Sequence, residues 1–281
     1  METKTSSDIV KQYEREGYVI IRDVIDPDLI QEARDHVDWL VEKNPGIRPE
    51  NLHHGMVTKD AFWVRLVSDD RLLDVVEQFI GPDLGLFASH YIAKPPHTGK
   101  PVPWHQDGSY WPLEPMEVIT AWLSFDRSDD ENGCMRVLPK TQHKKLLSLD
   151  EYVEQSEENL FSIAMDPTAI DDAEAVSLIL NPGDISIHHP NIVHGSNPNA
   201  SSRWRRGLTI RYIPTSTRIT REQPHPAAFI FRGQGYANGN GWNPLPPYTA
   251  ETSMAFSDQV AWDEKCERHN SAYGQFLIKA I

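Results

Sequence analysis

The sequence predicts an all-β jelly-roll core flanked by helices at its two ends. Three observations carry this. Helical periodicity is confined to about residues 6–82 and to the tail, and short apolar strands divided by turn residues begin at Leu84. The run Asn181-Pro182-Gly183-Asp184 separates two such strands with strong hairpin chemistry.

The elements follow in order. Residues 6–16 read as a short helix and Gly17-Tyr18-Val19-Ile20-Ile21 as a strand. Asp26-Pro27 reads as an N-cap with proline at the first helical position. Leu29, Ile30, Ala33, Val37, Leu40 and Val41 then recur at helical spacing until Asn44-Pro45-Gly46. A second helix runs from Asp70 to Phe79 and stops at Gly81-Pro82. Strands are expected from Leu84 to Ala93, Glu117 to Phe125, Gly133 to Leu138, Val176 to Leu180, Ile185 to His189 and Gly207 to Ile213, with a proline-rich loop from Lys94 to Pro103. The acidic stretch from Ser148 to Ala175 reads as a surface insertion. Gln223 to Pro247 mixes glycine, proline and asparagine with Phe229, Phe231, Tyr236 and Trp242; it reads as irregular chain forming a lid. Thr252 to Leu277 is expected to be helical. The whole is read as one domain: a helical layer over about 6–82, a core over about 84–214, and a lid loop with a C-terminal helix over about 215–281.

Composition narrows the function. The chain has 281 residues and a net charge of −14, which argues against nucleic acid as a partner and disfavours polyanions such as coenzyme A esters. A small-molecule substrate, neutral or cationic, is the expectation. No apolar run approaches a membrane span. Met1 to Asp8 is too polar for a signal peptide, and Lys279-Ala280-Ile281 is not a peroxisomal address, so a cytoplasmic location is expected. Cys134 and Cys266 lack metal-type spacing and read as buried thiols in a reducing compartment.

The chemistry concentrates in His105-Gln106-Asp107. On a strand, residues two apart share a face, so this histidine and aspartate can point at one ion. The tripeptide His36-Val37-Asp38 has the same spacing but lies in a helix, where it reads as a solvated face. A second histidine from a distant strand, to be chosen among His188, His189 and His194, would complete two imidazoles and one carboxylate. That open-sided set is typical of non-haem Fe(II) sites that activate oxygen. His188 and His189 are adjacent, so at most one faces inward, and each alone reads as a packed strand histidine; His194 precedes the small pair Gly195-Ser196.

The segments Glu16 to Ile21, Lys94-Pro95-Pro96, Trp104-His105-Gln106-Asp107, Asn132-Gly133-Cys134, Leu138-Pro139, Pro182-Gly183-Asp184, His194-Gly195-Ser196 and Arg205-Arg206 together resemble the phytanoyl-CoA dioxygenase family, over about residues 10–215. The resemblance implies a double-stranded β-helix, a form of jelly roll. It implies an enzyme that uses Fe(II), 2-oxoglutarate and O2 to hydroxylate an unactivated C–H bond, in secondary-metabolite biosynthesis among other settings, releasing succinate and CO2. It makes His105, Asp107 and His194 the iron ligands, and Arg205, eleven positions beyond His194, the partner of the distal carboxylate of 2-oxoglutarate. Ser196 would donate to the same carboxylate, Trp122 would pack near the cosubstrate, and Tyr91 and His54 could touch it; Arg206 is expected to be solvated. Halogenases related to the family have glycine or alanine at the position of Asp107, so hydroxylation is implied. Two other readings compete: a cupin-type isomerase or hydrolase, and a non-catalytic jelly-roll binding module. The first needs no arginine and serine for a dicarboxylate, and the intact ligand set stands against the second.

Overall fold

In the computed structural model, residues 6–221 and 223–278 are described; the tripeptide Lys279-Ala280-Ile281 lies outside them, as do the first five residues of the polar N-terminal stretch. Helices α1 (Ser6–Glu16) and α2 (Pro27–Lys43) bracket strand β1 (Tyr18–Ile21). Asp26 caps α2 as its sequence predicts, its carboxylate accepting from Leu29 N at 2.9 Å. A helix absent from the sequence reading, α3 (Ala61–Val67), precedes α4 (Asp70–Ile80). It is apolar on nearly every side and so shows no periodicity; Asp60 caps it at Phe62 N and Trp63 N.

The core strands are β2 (Leu84–Tyr91), β3 (Val102–His105), β4 (Ile119–Ser124), β5 (Met135–Leu138), β6 (Val176–Ser177), β7 (Ile185–His188), β8 (Val193–Ser196), β9 (Gly207–Pro214) and β10 (Phe229–Arg232). They form two antiparallel sheets, a major one ordered β1-β7-β4-β9-β2-β10 and a minor one ordered β6-β5-β8-β3. This is the jelly roll that the sequence predicts. One face of the major sheet packs on the helical layer through Ala121, Leu123, Ile187, Leu208 and Ile210. The other meets the minor sheet, where Trp122 packs with Met135 and Val137. The C-terminal helix α5 (Gln259–Ala272) joins the outer core through Trp262 and Cys266. Cys134 and Cys266 are both buried free thiols. No helix among the described residues is long and apolar enough to cross a membrane.

Two expectations change. The turn at Asn181-Pro182-Gly183-Asp184 does not close a hairpin: β6 pairs with β5 and β7 with β4, so the turn carries the chain from one sheet to the other. Gly183 is needed there, at φ +86° with its Cβ position 2.3 Å from the Ile25 carbonyl oxygen. The segment expected as a lid contains β10, which extends the edge of the major sheet against β2. Phe229 and Trp242 are fully buried in packing clusters, Phe231 packs on the core, and the Tyr236 hydroxyl donates to Asp83.

Candidate metal and cosubstrate site

The cavity between the sheets is built by strand register. His105 at the end of β3 and His194 on β8 are direct cross-strand partners, with ring centroids 4.1 Å apart. Strand β3 ends at His105, and Asp107 opens a short 3-10 turn, Asp107–Tyr110. The shared aim of His105 and Asp107 therefore comes from that turn and not from strand alternation. Gln106 anchors the corner: its amide donates to Asn191 O at 2.8 Å, its side-chain oxygen accepts from Leu147 N, and its backbone N–H donates to the Tyr152 hydroxyl. One ligand atom from each of His105, Asp107 and His194 falls within 4.8 Å of the others, and all three residues are buried.

The histidine tautomers are set by the backbone. His105 Nδ1–H donates to Pro103 O at 2.8 Å, and His194 Nδ1–H donates to Ile192 O at 3.1 Å. Each Nε2 is thereby left as a lone-pair donor toward the cavity, the usual preparation of a metal-binding imidazole. Burial and the neighbouring His105 hold His194 well below the ordinary imidazole range, so it is neutral. Burial pushes the Asp107 carboxyl up, but the Arg211 charge, with His105 and His188 close by, outweighs it and keeps the group ionised.

One rung of the major sheet supports Asp107. His188, Thr120 and Arg211 are register neighbours on β7, β4 and β9. Thr120 Oγ1–H donates to Asp107 Oδ2 at 3.4 Å, His188 Nε2 lies 3.7 Å from the same oxygen, and an Arg211 nitrogen lies 3.9 Å from Oδ1. His188 is thus the inward member of its pair, and neither of its ring nitrogens has a hydrogen-bond partner. His189 turns away and accepts from Asn191 N.

Beyond His194 the cavity ends in a buried cationic corner. Arg205 is 2% exposed, lies over the Trp122 ring at 4.9 Å, and has Nε and Nη2 without partners. Gly207 makes this stacking possible, since a Cβ there would sit 2.5 Å from the Trp122 ring. Burial lowers the Arg205 pKa to about 10, still charged at neutral pH. Lys94 pairs with Arg205 through the backbone; its ammonium donates to Ser196 Oγ at 2.7 Å, which frees the serine hydroxyl to donate into the cavity. Burial and then Arg205 push the Lys94 amine well down. The sequence reading used Lys94 only as part of a motif. Its role becomes visible only when Ser196 and Arg205 are placed beside it.

Other expected residues lie elsewhere. Tyr91 faces the helical layer, where its O–H donates to His36 Nδ1 at 2.7 Å, so it cannot reach the cosubstrate. His36 is itself fully buried, with Nε2–H donating to Asp60 at 2.8 Å, and is no solvated face; Asp38 is exposed. His54 lines a separate, larger cavity beside Asp107. Arg206 is mostly covered and ion-paired with Asp126 and Asp38. Phe161, from the segment expected as a surface insertion, lines both cavities and sits edge-on to His105 at 4.9 Å.

Fold and site together define a jelly-roll protein with a two-histidine, one-carboxylate cluster beside a buried arginine. The family model for phytanoyl-CoA dioxygenase matches residues 13–207, and the chain belongs to that family. A probable alpha-ketoglutarate-dependent hypophosphite dioxygenase of Stutzerimonas stutzeri is 30% identical over 64% of this chain and 63% of its own length. The human peroxisomal phytanoyl-CoA dioxygenase is 28% identical over 72% of this chain and 66% of its own length. The matches thus span just under two thirds of these relatives. Among solved structures, the apo non-heme monooxygenase ThoJ superposes with a TM-score of 0.68 over 94% of this chain and 96% of its own, at 18% identity, which supports the fold.

Proposed function

We propose that this protein is an Fe(II)- and 2-oxoglutarate-dependent dioxygenase that hydroxylates an unactivated C–H bond of a small metabolite. The observation that carries the reading is the cationic corner. A buried guanidinium with two unmet donors, Arg205, lines the same cavity as a neutral-imidazole and carboxylate cluster, with Lys94 beside it held on Ser196. A buried guanidinium without an anion is costly, and a carboxylate is its natural bidentate partner. The residues fit the cofactors: His105 Nε2, His194 Nε2 and the Asp107 carboxylate would hold the metal, while Arg205 and Ser196 would hold the distal carboxylate of 2-oxoglutarate. With its cosubstrate bound, the iron would supply oxygen activation, with succinate and CO2 as the co-products.

The protein's own part is placement and exclusion. Arg205 fixes the far end of a dicarboxylate, so its other end can meet the metal only near the His/Asp/His set. Trp122 and Phe161 wall the site against water, which would otherwise divert the oxidant. Asp107 occupies a ligand position, which favours hydroxylation over transfer of a bound halide.

Addition of Fe(II) and 2-oxoglutarate without oxygen should produce a visible charge-transfer band. His105→Ala, Asp107→Ala and His194→Ala should each lose the band and tight iron binding, whereas His188→Ala should retain both. A cupin-type hydrolase or a bare binding module would give no band. Loss of iron in His188→Ala alone would instead move the ligand set to His188.

A further inference from the structure

The larger cavity beside Asp107 holds a second unmet charge. We propose that this cavity takes a substrate bearing an oxyanion, a carboxylate or a phosphorus oxyanion, seated on Arg211, with oxidation at a carbon close to that group. The proposal rests on the oxygenase reading above and names its substrate class.

The cavity, of about 420 Å³, lies in the range of small-ligand sites. Among the described residues, its only lining cations are Arg211 and Arg221, and its only lining acid is Asp107, a candidate ligand of the metal. The Arg211 side chain is 13% exposed, its one ion pair is the long 3.9 Å contact to Asp107, and its Nε has no partner. Trp111 lies against the guanidinium at 5.3 Å, which leaves the in-plane N–H donors for a planar acceptor. Arg221 is exposed and forms no ion pair among the described residues. His54 and His225 stand 5.6 Å apart in the same wall, and His225 Nδ1 is buried without a partner. Burial holds both imidazoles down at about 4, so each is neutral at pH 7; His54 Nδ1–H is spent on Ser89 O at 3.1 Å, and His225 keeps an N–H to offer.

Among the described residues, a cationic substrate would meet two guanidiniums here and no free carboxylate. The chain's net charge pointed towards neutral or cationic substrates, but local charge outweighs the global sum in a cleft. Phe87, Trp111 and Phe161 supply apolar wall for an organic body. Arg211 lines both this cavity and the metal site, so an oxyanion on it sits at their junction. The nearest C–H bonds are then those one or two bonds from the oxyanion.

The test is calorimetric titration of the anaerobic Fe(II)- and 2-oxoglutarate-loaded protein with four matched probes: 3-phenylpropanoate, 2-phenylethylphosphonate, 3-phenylpropanamide and 3-phenylpropylamine. One of the two anions should bind at least about tenfold tighter than the amide, and the amine should not bind. A carboxylate that outbinds the phosphonate assigns carbon acids; the reverse assigns phosphorus oxyanions. Arg211→Met should abolish the preference, and Arg221→Gln and added salt should each weaken it. Should Arg211→Met not fold, Arg221→Gln and the salt series decide the matter. Equal binding of amide and anion, no anion binding at millimolar concentration, a preference that survives these changes, or anions that bind only by displacing 2-oxoglutarate would overturn the proposal. If the charge-transfer band itself never forms, the oxygenase reading fails, while titration of the metal-free protein still reports on the chamber.

Discussion

Arg205 and Lys94 are held close together at the closed end of the metal-site cavity, and their separate contributions can be resolved. Arg205 offers a planar pair of donors to a carboxylate; Lys94 acts through Ser196, whose hydroxyl it orients. Arg205→Ala should therefore raise the KM for 2-oxoglutarate by roughly 30-fold to several thousand-fold, the equivalent of about 2–5 kcal/mol for a broken charge-assisted pair in a dry site. Lys94→Met should raise it by about 10- to 100-fold, in line with one charged hydrogen bond. Because Lys94 acts through Ser196, the double variant Lys94→Met/Ser196→Ala should be little worse than the worse single variant. Additive losses in KM would show that the lysine and serine act separately.

At the scale of elements, legibility followed locality. Caps, turns and the His105-Gln106-Asp107 run are contiguous, so their chemistry is written in neighbouring residues. What the sequence hid was which way a strand faces. Strand β2 is apolar or buried along nearly its whole length on both faces, so alternation carries no signal and Tyr91 could be assigned to either side. His36 reads as surface because nothing local announces Tyr91 and Asp60 as its partners. The turn before β7 has hairpin residues, but in a jelly roll a tight turn can also join two sheets. The metal site is walled by the insertion that carries Phe161, while the segment after β9 contributes His225 to the larger cavity. Phe161→Ala should open the wall shared by both cavities. Iron and 2-oxoglutarate binding should change by only a few fold, while succinate formed without substrate should rise several-fold, because the site is no longer shielded from solvent. An unchanged background rate would make Phe161 a packing residue only.

The whole molecule carries many histidines that folding buries in their neutral form, and this fixes how its stability responds to acid. Burial pulls His54, His189 and His225 down to about 4 and His90 to about 3, and it also lowers His188 and His194. In the unfolded chain each returns to about 6.5. Between those values the unfolded state binds more protons than the folded one, so stability falls as the pH drops from about 6.5 to 4 and is insensitive to these groups above that window. Each such group contributes up to about 1.4 kcal/mol per pH unit within its own range. Below about 4 the opposite class adds to the loss: Asp107, Asp129 and Asp26 have lowered folded values, and their ion pairs and hydrogen bonds vanish on protonation. Urea unfolding midpoints of the metal-free protein should therefore be flat from pH 8 to about 6.5 and then decline steadily. Histidine and carboxylate contributions separate in His225→Gln, which should flatten the decline above about pH 4 and leave the steeper loss below it. A wild-type midpoint that holds constant down to pH 5 would mean that the buried imidazoles are charged in the folded state, and the neutral-ligand picture of the site would fall with it.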